Sequence, residues 1–91
     1  VDALTRAELQ DLVLRLHGHE ERGVTILHVT HDIDEAVYLA DWVLVLEAPA
    51  TVSTVAQVDL PRPRHQLTTK SLPEFARLRG ELLSALKPGT P

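Results

Sequence analysis

Apolar and polar positions along the 91-residue chain change their period several times, and each change predicts an element. Near the start, Thr5 and Glu8 have the T-x-x-E spacing of a capping box, and Leu9, Leu12, Val13 and Leu16 recur at i, i+3, i+4 and i+7. That pattern predicts an amphipathic helix over 5–21, ended at Gly23, where a left-handed residue can stop it. The run 24–29, VTILHV, is almost continuously apolar and β-branched, with only Thr25 and His28 interrupting. This is the pattern of a strand buried on both faces of a parallel sheet. Ile33, Ala36, Val37 and Ala40 then restore the helical period. Asp32 is the expected cap, its carboxylate accepting from the Glu35 N–H while Glu35 reaches back to the Asp32 N–H. WVLVL over 42–46 reads as a second buried strand. Joined to the first by a helix, it predicts a βαβ crossover of the shortest workable length.

The second half changes character. Val52, Thr54, Ala56, Val58 and Leu60 alternate with mostly polar residues, predicting a half-exposed strand folded back on 42–46 through a turn at 47–50 that contains Pro49. Pro61-Arg62-Pro63-Arg64 cannot continue it, because two prolines remove two donors. A linker over 61–70 is expected. Ser71 is the expected cap of a final helix with Pro73 in its first turn, Glu74 at N3 and an apolar stripe of Phe75, Leu78, Leu82 and Leu86, ended by Lys87-Pro88-Gly89. The expected class is α/β, with short parallel strands, flanking helices, a β-hairpin and a C-terminal helix. It divides into a core segment over 1–60 and a Pro/Arg linker with its helix over 61–91.

Composition narrows the function classes. Apolar residues make up 44% of the chain, but Trp42, Tyr38 and Phe75 are its only aromatics, so the core must come from Leu, Val, Ile and Ala. At this length a domain buries only about 60 to 65% of its unfolded surface, which leaves a thin stability margin. The net charge of −4 and scattered basic residues argue against a nucleic-acid surface. With no cysteine, neither a disulfide framework nor a thiolate metal site is available. No apolar run approaches the roughly 20 residues that span a bilayer, and the N-terminus lacks the order of a signal peptide. A doubly buried parallel strand needs neighbours on both sides. The chain supplies too few, so it is expected to be part of something larger.

Candidate chemistry reduces to one position. Gly18 and Gly23 have the spacing that opens a phosphate-binding loop, but Val24 and Thr25 follow where Lys and Ser or Thr are needed. The order is also reversed, since the pair closes a helix instead of opening one. His17, His19, His28 and His31 suggest a metal, yet His28 and His31 are three apart on extended backbone and point to opposite faces, so no metal site is expected. His28 is expected packed in its strand with one ring nitrogen hydrogen-bonded. No serine occupies a strand-to-helix elbow. His31 remains, at the carboxyl end of a strand and beside a helix N-terminus, where open α/β sheets place ligands.

VTHDIDEAVYLAD followed by VLVL resembles the switch-histidine segment, or H-loop, of ATP-binding cassette (ABC) ATPases. VDALTRAELQDLVLRL is similar to the end of the D-loop and its following helix. VDLPRPR over 58–64 and PEFARLRGELLSAL after it resemble the tails of ATPases that energise nitrate, sulfonate and taurine import. The resemblance covers nearly the whole chain. Departures fall at Val1, His28, Trp42 and the hairpin turn Ala48-Pro49-Ala50, and none removes His31.

The resemblance implies the C-terminal part of a P-loop NTPase fold, roughly the last third of an importer's ATP-binding subunit. It implies that His31 is catalytic, contacting the γ-phosphate of ATP and helping to place the attacking water, a positioning role suited to phosphoryl transfer. It implies that Asp2 is the D-loop aspartate at the interface with a second ATPase subunit. In the parent the cofactors would be ATP and Mg, and the partners a second copy and transmembrane permease subunits. The location would be cytoplasmic, peripheral at the inner face of the membrane, without direct insertion. The phosphate loop, the signature segment and the strand with the Mg-binding carboxylates would precede Val1, so this chain alone is expected to be inactive. The competing expectation is a standalone, non-catalytic assembly module that keeps the scaffold and self-associates through uncovered sheet edges.

Overall fold

The computed structural model describes residues 2–17, 25–48 and 51–86. Its elements are α1 (Ala3–His17), α2 (Ile33–Leu39), β1 (Trp42–Glu47), β2 (Thr51–Gln57), a 3-10 turn at Thr69–Ser71 and α3 (Pro73–Leu86). The sheet among the described residues is a single antiparallel hairpin of β1 and β2, in register from Trp42↔Gln57 to Glu47↔Thr51 with a shift between Val45 and Leu46. Mixed helix and strand is therefore observed, and so is the hairpin.

The expected parallel strand is not. Residues 25–30 form no strand, and Leu27 and Val29 stand 91% and 88% exposed; Val24 and the turn residues 49–50 lie outside the described segments. An apolar β-branched run states a preference for burial, but a parallel strand exists only when neighbours supply its ladder. Without that strand there is no βαβ crossover among the described residues. The chain instead leaves α2 directly into an antiparallel pair.

β1 is also buried on one face only. Val45 points into the core, while Trp42, Leu44 and Leu46 are exposed. The alternation in the second strand does hold from Thr54 onward: Ala56, Val58 and Leu60 are buried and their odd-numbered neighbours exposed. Val52, at the far side of the register shift, is exposed.

The core forms where α3 crosses the hairpin and α2. Phe75, Leu78 and Leu82 of α3 pack with Val37 and Tyr38 of α2 and the inward residues of the hairpin. Leu86, the fourth residue of the expected stripe, is half exposed. Gly80 lies on the exposed side of α3, and a β-carbon built there meets nothing within 4 Å. Gly80→Ala is therefore expected to raise stability by about 0.5–1 kcal/mol, because it removes backbone freedom from the unfolded chain at no steric cost. A melting temperature that falls would contradict this.

Three caps differ from expectation. Asp2, not Thr5, caps α1, its Oδ1 accepting from the Thr5 N–H at 2.8 Å; Thr5 and Glu8 lie inside the helix. Helix α1 is described only to His17, and the expected continuation to 21 and the stop at Gly23 lie outside the described residues. Ser71 sits in the 3-10 turn with its hydroxyl donating to the Leu67 carbonyl at 2.7 Å, so it does not cap α3. Glu74 instead forms a two-pronged pair with Arg77. At α2 the Asp32 half of the predicted box is present, with Oδ1 accepting from the Glu35 N–H at 3.2 Å. The reciprocal half is not, because the Asp32 N–H donates to Thr30 Oγ1 and the Glu35 carboxylate turns elsewhere.

Helix α1 contradicts its own stripe. Leu4, Leu9, Leu12 and Leu16 face outward, and the buried residue of the helix is Gln10. The cause is polar and non-local. Gln66 Nε2 donates to Ala7 O, Gln10 Oε1 and Asp11 Oδ1 at 3.1–3.3 Å, and Tyr38 donates to the same Asp11 oxygen at 2.8 Å.

Candidate functional site

His31 stands exposed, immediately before the Asp32 cap of α2. It lines an open cleft of about 460 Å³ with Arg6, Thr30, Asp32, Asp34, Arg79 and Leu83 among its neighbours. α1 supplies Arg6, the N-terminal end of α2 supplies the aspartates, and α3 supplies Arg79 and Leu83. Asp2 lies at the N-terminal end of α1, four residues before Arg6. Arg6 Nη1 reaches Asp32 Oδ2 at 2.8 Å, so the two helix starts that carry Asp2 and His31 are tied together by one ion pair. The capping bond from Thr5 holds the Asp2 carboxyl below the usual carboxylate range.

The charges of the cleft are paired. Arg79 forks onto both oxygens of Asp34 at 2.6 and 3.2 Å, which holds its guanidinium above the ordinary range, and it lies 5.2 Å from the centre of the Phe75 ring. Arg6 and Arg79 are thus each balanced by an aspartate, and Asp32 caps the first turn of α2 by accepting from the Glu35 N–H. Among the described residues no three His, Asp or Glu side chains converge as metal ligands. These residues offer the cleft one exposed imidazole, that of His31. They do not by themselves fit a nucleoside triphosphate with its magnesium.

Behind the cleft, the underside of α2 carries a second polar cluster. His28 Nε2 lies 2.9 Å from Glu35 Oε2, and Gln10 Nε2 donates to Glu35 Oε1 at 3.1 Å. His28 is hydrogen-bonded as expected, but it is exposed rather than packed in a strand. The His28 bond pulls the Glu35 carboxyl down from 4.5 to about 2, against an opposing push from burial. A carboxylate whose folded pKa is depressed contributes stability above its unfolded pKa and loses it as pH falls toward the folded one. Stability is therefore expected to drop between about pH 5 and pH 2 by about 1–2 kcal/mol through Glu35, with screening by solvent included. Glu35→Gln should flatten that part of the profile in acid melts, and an unchanged slope would remove Glu35 from the cause.

Periodicity did not reveal Arg6, Arg79 or Asp34 as neighbours of His31. The only sequence signal was the position of Arg79 one turn after Phe75, beside the buried stripe of α3. The Pro61-Arg62-Pro63-Arg64 stretch, expected only as a linker, also brings its two arginines to acceptors. Arg62 finds them in Asp41 and Leu39 O, and Arg64 in α2 carbonyls.

No protein-family profile matches the chain. Its relatives are nonetheless clear: over nearly its whole length it is homologous to the ATP-binding subunits of ABC importers, matching mainly their C-terminal part. It is 48% identical over 87 residues to the aliphatic sulfonates import ATP-binding protein SsuB 1 of Xanthomonas axonopodis, covering 94% of this chain and 33% of that protein. The nitrate import ATP-binding protein NrtC of Synechococcus elongatus is 43% identical over 89 residues, 96% of this chain and 13% of its own length. SsuB 2 of Pseudomonas syringae is 46% identical over 87 residues, 94% of this chain and 35% of its own. The chain thus spans about a third or less of the curated relatives it matches, and the family resemblance read from its residues is borne out. No helix among the described residues is long and apolar enough to cross a membrane.

Proposed function

We propose that this chain is the C-terminal part of the ATP-binding subunit of an ABC importer of the nitrate, sulfonate or taurine type, within a P-loop NTPase fold. Residues 1–60 close the ATPase core, and 61–91 form its Pro/Arg segment and last helix. The observation that carries the reading is the 48% identity, over almost the entire chain, to a sulfonate import ATP-binding protein. In the intact subunit, His31 presents its imidazole to the γ-phosphate of Mg-bound ATP, and Asp2 faces a second ATPase subunit. Hydrolysis there drives permease partners in the membrane, with the subunit peripheral at the cytoplasmic face. The exposure of His31 beside a capped helix start supports that role, since the imidazole is presented on a held element and is open to a ligand.

The test is His31→Ala in the intact subunit. ATP turnover should be lost while ATP binding remains, and unchanged turnover would refute the role. The 91-residue chain alone should show no micromolar Mg-ATP binding by titration calorimetry, because a single imidazole contact supplies too little affinity.

A further inference from the structure

We infer that Arg64, assisted by Arg62, is a positioning residue for His31, acting as a clamp on the far end of the short helix that carries it; this rests on the reading of His31 given above. Helix α2 has only seven residues, too few to persist without help at both ends. Its N-terminal end is held by Asp32 and the Arg6 pair. At its C-terminal end the last carbonyls have no helical partner of their own. Arg64 Nη1 donates to Tyr38 O at 3.0 Å and Ala40 O at 2.6 Å, with Val37 O at 3.4 Å. Arg62 Nη2 donates to Leu39 O at 3.1 Å while its guanidinium also grips Asp41. Carbonyls 37 to 40 are therefore all met by two arginines from a segment more than twenty residues away.

The arrangement costs something, which argues that it is specific. Arg64 is only 6% exposed, its Nε has no hydrogen-bond partner among the described residues, and no carboxylate pairs with it directly. A buried guanidinium aimed only at main-chain carbonyls is expensive unless its position is needed. Its charge also lies at the negative end of the α2 dipole, where a cation is favoured. Helix α2 is about 10 Å long at 1.5 Å per residue, so a loosened last turn changes where the first turn, and His31 one residue before its cap, can sit. Reacting groups held in one geometry are what phosphoryl transfer asks of a protein.

The experiment uses the intact ATP-binding subunit with Arg64→Met, which keeps bulk and removes the donors, and Arg64→Lys, whose ammonium can still meet the carbonyls. Hydrogen exchange over residues 33–40, nucleotide Kd and kcat are measured for each. For Arg64→Met the expected result is faster exchange in α2, a kcat lowered about tenfold and a Kd changed less than about twofold. Arg64→Lys should recover most of both, and adding His31→Ala to Arg64→Met should be no worse than His31→Ala alone. Wild-type exchange in α2, a reduced kcat with α2 fully protected, or additive losses in the double variant would each overturn the proposal. If Arg64→Met does not fold, the lysine variant decides: slow exchange with full turnover supports the clamp, and fast exchange with full turnover refutes its link to His31. A His31→Ala subunit that hydrolyses ATP normally would refute the catalytic role of His31, and the positioning role with it; that failure is read from a different variant than a failure of the clamp.

Discussion

Phe75→Ala should cost about 3–5 kcal/mol in urea melts of the chain, close to the whole stability of a domain this size. Three terms add. The ring is fully buried between α2 and the hairpin, so its removal loses the transfer free energy of a large apolar side chain. It leaves a cavity in the core cluster that Phe75 shares with Val37, Tyr38 and Leu78, which the surroundings fill only in part. It also removes the ring beneath the Arg79 guanidinium, 5.2 Å away, and so loosens the fork onto Asp34. The matched comparison is Leu86→Ala at the end of the same stripe. Leu86 is half exposed, and its loss should cost under about 1 kcal/mol. Equal costs at the two positions would mean that the core is not centred where α3 crosses α2.

That contrast also separates what could be read from the sequence from what could not. Local rules succeeded where an element meets its partner within this chain. Asp32 caps α2, Ala56, Val58 and Leu60 turn inward, and three residues of the α3 stripe are buried. The same rules failed where the partner is distant or lies elsewhere. The 24–29 run has the composition of a central strand, yet its described residues are exposed and unpaired into a sheet, because composition encodes a demand for neighbours and not their presence. The leucine stripe of α1 is amphipathic by spacing, but the helix turns Gln10 inward because Gln66, more than fifty residues away, offers it a satisfied polar contact. Arg62 and Arg64 read as a linker because prolines flank them. Their function at the α2 carbonyls depends on a tertiary approach that no period reports. For the site, position and motif string singled out His31 as the candidate, while the arginine pairs around it became visible only once three helices were placed.

His31→Ala in the intact subunit should lower kcat by about 10²–10³-fold, with nucleotide Kd within a few-fold of wild type. The split follows from what one imidazole can contribute. Triphosphate affinity comes mainly from a phosphate loop and its metal, which the described residues do not provide, so removing His31 takes little from ground-state binding. A hydrogen bond aimed at charge that develops only during transfer acts on the barrier alone, and its loss appears in kcat and kcat/KM together. Charge at the cleft sharpens the point. Arg6 and Arg79 are each paired with an aspartate on α2, so neither is placed to take over the role when the imidazole is gone. His31→Gln, which keeps a neutral donor on a shorter reach, should recover part of the rate if donation is the function and none if a proton must move through the ring. A weakened Kd with kcat intact would assign His31 to nucleotide binding. Unchanged kcat and Kd together would remove His31 from the chemistry, whereas an intact wild-type subunit that neither binds nor hydrolyses ATP would favour an assembly module built on the exposed apolar faces of α1 and β1.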